Sequence, residues 1–235
     1  MNNIFITGEK IDLCVPQDSD FEQWASWFNS QEVTKYLEQG KYPNTPEMQR
    51  DFYQQAVESG RFLTLVKGKQ GELLGVVSLS EIDYEKMSCQ VAYLCPVKSP
   101  DAPLAPLEAL AMCTQHAFER FGMNTVWAGH AYPGLKKWIQ KTEAVGYKPY
   151  GVMPNGFKHG MTINDAAKTS ITRETFKELT ERRDGYLWPG EHRAKKLIDA
   201  LRAKASLAER VHDSVKSLHE EHAQMLAGIE KSIEE

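Results

Sequence analysis

The sequence predicts an α/β fold of the α+β kind, a sheet flanked by helices, followed by a long C-terminal α-helix. Three observations carry this. Apolar residues switch repeatedly between alternate and helical spacing over the first 180 positions. Glycine, proline and capping residues stand where the spacing switches. From residue 191 onward proline disappears, Gly228 is the one glycine, and Ala, Glu, Lys, Leu and Arg dominate.

Residues 10–15 alternate as a strand, and 16–20 supply turn and N-cap chemistry for a helix whose apolar face is Phe21, Trp24, Trp27 and Phe28. A second helix is expected after Thr45, which can cap it, with Pro46 in the first turn. Strands follow at 61–66, 73–82 and 88–95, the first two joined by a turn at 68–71. A helix over 107–121 closes at Gly122, a residue suited to the left-handed C′ position. A buried-looking strand at 124–128 and a helix at 133–145, closed by Gly146, come next. Two last strands are expected near 147–153 and 162–172, with Pro154, Asn155 and Gly156 turning the chain between them.

The expected organisation is a domain over 1–185, a linker over 186–190 and a helix over 191–235. Stepping alternately by four and three from Leu197 meets Leu201, Lys204, Ala208, Val211, Val215, Leu218, His222, Met225 and Ile229, a heptad seam with two polar interruptions. One thin apolar stripe on a polar helix needs something to cover it, either its own domain or a partner. Self-association or another protein through 191–235 is the expectation.

The chain has 235 residues, 41% hydrophobic and 10% aromatic, enough for a real core. A net charge of −4 gives no general attraction to nucleic acid or to a membrane surface. The first residues lack a basic region followed by an apolar run, and no window is long and apolar enough to span a bilayer. Cys14, Cys89, Cys95 and Cys113 have no paired spacing and read as core thiols of a reducing compartment, so a cytoplasmic location is expected. His192, His212, His219 and His222 form no closed ligand pattern, and no metal is expected.

Four segments together resemble the GNAT N-acetyltransferase superfamily, particularly the branch acting on protein N-termini and sugar amines. They are Gly8 to Leu13 running into Asp18, Asp20, Trp24, Trp27, Phe28 and Asn29; Gln90-Val91-Ala92-Tyr93-Leu94 with Pro96; Glu108-Ala109-Leu110 through Ala117 and Gly122 to Trp127-Ala128-Gly129; and Glu143-Ala144-Val145-Gly146-Tyr147. The resemblance covers about residues 4–180. It implies a mixed, mostly antiparallel sheet with acetyl-CoA held in a gap between two neighbouring strands. It also implies a pyrophosphate on backbone N–H groups at the start of the helix that contains Glu108, where a helix N-terminus favours an anion.

On this resemblance, the main chain of Tyr93, Leu94 and Cys95 would hold the pantetheine arm. Ala102, Leu104 and Ala105 would stand in the phosphate loop, and Tyr93, His130 and Tyr132 are the candidate catalytic residues. The loop departs from the family. Asp101, Ala102, Pro103, Leu104, Ala105 and Pro106 occupy the glycine-rich stretch, and both prolines lack an N–H. Gln90 replaces the strand carboxylate and cannot act as a base. Leu135 and Trp138 replace an asparagine and a serine that meet the cofactor, and Thr142 replaces a thiolate-protonating tyrosine. Lys136 and Lys137 could meet phosphates, and His159 could line an acceptor site.

Two functions follow as expectations. One is a catalytically degenerate protein of this fold, serving assembly through its C-terminal helix, with a bacteriophage virion as one context, and with no cofactor. The other is an active N-acyltransferase carrying an acetyl group from acetyl-CoA to an amine.

Overall fold

The structure, a computed structural model, describes residues 3–37, 40–159, 161–204 and 206–234. Its centre is an eight-stranded sheet in the order β1-β2-β3-β4-β5-β6-β8-β7. The strands are β1 (Ile4–Thr7), β2 (Ile11–Cys14), β3 (Phe62–Gly68), β4 (Leu73–Asp83), β5 (Ser88–Leu94), β6 (Thr125–Tyr132), β7 (Lys148–His159) and β8 (Thr162–Thr172). Every pairing is antiparallel except β5 with β6. That is the mixed, mostly antiparallel sheet expected from the sequence.

Among the described residues eight α-helices flank it: α1 (Phe21–Phe28), α2 (Gln31–Thr34), α3 (Pro46–Glu58), α4 (Ala105–Glu119), α5 (Lys136–Thr142), α6 (Arg173–Glu181), α7 (Glu191–Arg202) and α8 (Leu207–Glu234). Alternation along the strands sorts the core into two layers. Leu63 and Leu65 of β3, with Leu73 and Val76 of β4, meet Phe21, Trp24, Trp27 and Ala56 of α1 and α3. Val66, Leu74, Val77 and Leu79 point the other way, onto Leu107, Leu110 and Phe118 of α4. Phe118 stacks on Phe176 and so seats α6 beside α4, ring centroids 4.6 Å apart. Thr45 caps α3 by accepting the Met48 N–H, with Pro46 in the first turn as expected. Gly122 and Gly146 take the positive φ values, 70° and 92°, that end their helices.

Three features depart from the sequence expectation. The segment Pro154-Asn155-Gly156 does not turn the chain: β7 runs through it with a shift of register, and Asn155 takes φ 54°. The hairpin instead reverses between His159 and Thr162, next to Gly160, which lies outside the described residues. The C-terminal segment is two helices, and the long one begins at Leu207 rather than at 191.

α7 buries Ala194 and Ile198 on the body, and Gln140 Nε2 donates to the Leu201 carbonyl at 2.7 Å. The first turns of α8 also dock. Ala208 is buried, Lys136 pairs with Glu209 at 2.6 Å, and His212 Nε2 meets Asp165 at 2.9 Å. From Lys216 to Ile233 every residue of the helix is exposed, although His219, Glu220 and Ala223 still line a cavity with Val152 and Pro154 of β7. Leu218, Met225, Leu226, Ile229 and Ile233 are 44–77% exposed, on a stripe continuous with the docked Ala208, Val211 and Val215. No helix among the described residues is long and apolar enough to cross a membrane.

Candidate functional site

β5 and β6 pair only over Ser88–Thr125, Cys89–Val126 and Gln90–Trp127. From Val91 to Leu94, β5 keeps β4 as its one partner, so the two parallel strands part and open a wedge. α4 starts beside it, because the loop after β5 must cross to the other side of the sheet. A cavity of about 460 Å³ lies at this crossing, lined by Cys95, Lys98, Ala102, Leu104, Trp138 and Lys141, among others. A second cavity, of about 320 Å³, lies on the α1/α3 side and reaches Ala92, Tyr93 and Leu94.

The loop between β5 and α4 keeps its N–H groups to itself. Ala102 donates to the Ser99 carbonyl, Ala105 to Ala102, and Leu107 and Glu108 to Leu104, at 2.9–3.3 Å. Pro100, Pro103 and Pro106 have no N–H to give. Of the nine residues 100–108, that leaves Asp101 and Leu104 as backbone donors. The first-turn donors of a helix are the groups that usually meet an anion. Here, apart from the Leu104 N–H, they are absent or closed by neighbouring carbonyls, and Ala102 and Ala105 are buried. Lys98 and Lys141 give the cavity positive charge without a backbone cradle.

The wedge itself is filled by rings. Tyr93, which lines the second cavity, packs on Trp138, which lines the first, at 4.9 Å between centroids. Behind them His130 is 5% exposed. Its Nδ1 lies 3.5 Å from the Tyr93 hydroxyl and its Nε2 lies 3.1 Å from Thr169 Oγ1. Burial, with Lys168 nearby, holds the His130 imidazole down at about 4, so it is neutral near pH 7. Burial also pushes the Tyr93 phenol well above its ordinary 10 and the Cys95 thiol up to about 12. A weak base beside a weak acid is poorly matched to proton transfer near neutrality.

The other sequence candidates are distributed as follows. Tyr132 faces the seat of α8, its ring 4.6 Å from that of His212, in a cluster with Ile139, Ala167 and Ala208. Thr142 is buried, and its hydroxyl donates to the Ile139 carbonyl at 2.7 Å. The Gln90 amide oxygen accepts from Ser80 Oγ at 3.4 Å. Lys136 is spent on Glu209, Lys137 is exposed, and His159 Nδ1 meets the Leu37 carbonyl at 2.8 Å. Leu135 precedes α5 without a capping side chain. Among the described residues no three His, Cys, Asp or Glu side chains are grouped to hold a metal.

Residues 11–132 match the acetyltransferase (GNAT) domain, and the splayed β5/β6 wedge beside the start of α4 lies within or next to that match. The chain belongs to the GNAT acetyltransferase family. A solved structure described as a probable acetyltransferase shares 19% identity, with a TM-score of 0.61 over 71% of this chain and 95% of that one. Spermidine N-acetyltransferase from Vibrio cholerae, solved with CoA and spermine, gives 15% identity and a TM-score of 0.63, over 72% of this chain and 98% of that one. Identities this low show a shared GNAT fold. No curated protein matches the chain by sequence.

One residue to which the sequence reading gave no role of its own sits at the root of the GNAT domain's central helix. Glu108, 1% exposed, accepts the Glu9 N–H at 2.5 Å and the Lys10 N–H at 3.1 Å, tying α4 to the chain entering β2. Burial outweighs those N–H bonds and raises its carboxyl from 4.5 to about 7. The folded chain therefore holds this proton more tightly than the unfolded chain. The corresponding stability is full below about pH 4.5 and is lost as pH rises toward 7, by about 3 kcal/mol. In urea titrations at pH 4.5 and pH 7, Glu108→Gln is expected to remove that decline relative to the parent. An unchanged decline contradicts the assignment.

Proposed function

We propose that this chain is a GNAT-fold building block that has given up acetyl-CoA-dependent transfer and joins a second copy through the projecting part of α8. The observation that carries the first half is the start of α4, where prolines lack, and neighbouring carbonyls occupy, the N–H groups that a pyrophosphate would need. Losing the Pro103 and Pro106 donors alone costs about 3–6 kcal/mol of cofactor affinity, at about 1.5–3 kcal/mol for each charge-assisted bond. The Tyr93–Trp138 pair supports the same reading, since it stands between the two cavities that a pantetheine arm would have to join. So does the neutral, enclosed His130.

The projecting stripe of α8 supports the second half. It keeps the alternating spacing of the docked stripe through Leu218, His222, Met225 and Ile229, and a second identical stripe matches it in length and spacing. Calorimetric titration of the full chain with acetyl-CoA and with CoA tests the cofactor reading. Dissociation constants weaker than about 1 mM are expected, an affinity below about 4 kcal/mol. Micromolar binding overturns it and returns the chain to the acetyl-transferring members of the family.

A further inference from the structure

The cavity on the α1/α3 side has a chemistry of its own, independent of whether the cofactor side is open. Its walls are largely apolar and aromatic, from Trp24, Phe28, Phe52, Leu63 and Val76. The one charged side chain among the described residues that line it is Arg61. Arg61 immediately precedes β3 and lines the cavity, its guanidinium 5.7 Å from the centre of the Phe52 ring. Nη2 donates to Ser78 Oγ at 2.8 Å, while the buried Nε has no partner among the described residues. No ion pair joins Arg61 to a carboxylate among the described residues. Burial lowers its pKa.

Unused donors accompany it. Gln49 is 2% exposed; its amide oxygen accepts from Asn44 Nδ2 at 3.2 Å, and its Nε2 is without a partner. Trp24, 1% exposed, leaves its indole N–H unpaired. A buried donor without a partner loses its hydration for nothing in return, and a cation facing an apolar cavity without a counter-charge is costlier still. Both costs fall when an anion with acceptor oxygens enters. Guanidinium presents parallel N–H groups that suit a carboxylate in particular. A cationic amine has the opposite fit: it would meet Arg61 and no described carboxylate.

We infer that this cavity is a binding site for a small carboxylic acid with an apolar or aromatic body, its carboxylate on Arg61 and its body among Trp24, Phe28 and Phe52. The volume, about 320 Å³, is at the lower end of the range for small-molecule pockets.

Three probes of one shape test this on the full-length chain: 3-phenylpropionate, 3-phenylpropanol and 3-phenylpropylamine, titrated by calorimetry and by tryptophan fluorescence at pH 7. The acid is expected to bind at least tenfold more tightly than the alcohol, and the amine more weakly than either. Arg61→Met is expected to bring the acid down to the alcohol's affinity while leaving the alcohol within about threefold. Equal or tighter binding of the amine, or no saturable binding of the acid at 5 mM, overturns the assignment. An acid affinity unchanged in a folded Arg61→Met chain overturns it too. Should that variant fail to fold, the three-probe series on the unaltered chain decides alone.

Discussion

A chain ending at Lys216 is expected to sediment as a monomer, whereas the full-length chain sediments as a dimer at the same concentration. The cut falls where the residues of α8 become exposed, so it spares Ala208, the Lys136–Glu209 pair and the His212–Asp165 contact that seat the helix. It removes Leu218, Met225, Leu226, Ile229 and Ile233, the exposed apolar residues of the last turns. At about 1.5–3 kcal/mol for fully burying each such side chain, ten of them from two copies can exceed the association cost of about 4–15 kcal/mol. The segment 217–234 spans about 27 Å at 1.5 Å per residue, long enough for several layers of side chains. Sedimentation velocity reads the result as a change in mass. A full-length monomer at tens of micromolar contradicts the pairing, as does a dimer that survives the cut.

Asp20→Ala is expected to cost about 3–5 kcal/mol in urea unfolding, the loss typical of breaking a buried ion pair by removing one partner. Asp20 Oδ1 receives the Lys67 ammonium at 2.7 Å, and both side chains are about nine-tenths buried. Asp20 Oδ2 also accepts the Gln17 N–H at 2.9 Å, which fixes the entry into α1. The truncation leaves Lys67 charged under the α1 layer with no counter-ion. Replacing both partners, Asp20→Leu with Lys67→Met, removes that charge and is expected to recover most of the loss. A single-variant cost below 1 kcal/mol contradicts this assignment.

The sequence made the central architecture legible because its helices and strands carry local signals: the aromatic face of α1, the Thr45-Pro46 cap of α3, and glycines at the ends of the α4 and α5 segments. Elements that depend on distant partners were not legible. β1 is four residues long with Ile4 and Phe5 about half exposed, so it shows no clean alternation. α2 has one turn, and α6 buries little more than Phe176 in a charged stretch. The break before Leu207 is hidden because Ala203 and Lys204 are good helix formers, while tertiary docking decides where α7 stops.

The site divides in the same way. Pro103 and Pro106 announced a loop poor in donors, and the structure adds that four of the six N–H groups of residues 100–108 fold back on Ser99, Ala102 and Leu104. His130 looked like a base because unperturbed histidine titrates near neutrality; enclosure by the sheet, invisible in a local motif, takes it down to about 4. Tyr132 shares a strand with His130 yet belongs to the seat of α8. The cavity around Arg61 draws on residues from 24 to 94, and its one sequence signal is a lone arginine opening an apolar strand.

The closed start of α4 is tested most directly by amide NMR of the ¹⁵N-labelled full chain during addition of CoA up to 5 mM. The expected result is that the Ala102, Ala105, Leu107 and Glu108 resonances stay in place, because their N–H groups are held by carbonyls of the loop. Saturable shifts of those four amides at micromolar CoA would contradict it, and with it the proposal that this GNAT domain no longer takes the cofactor.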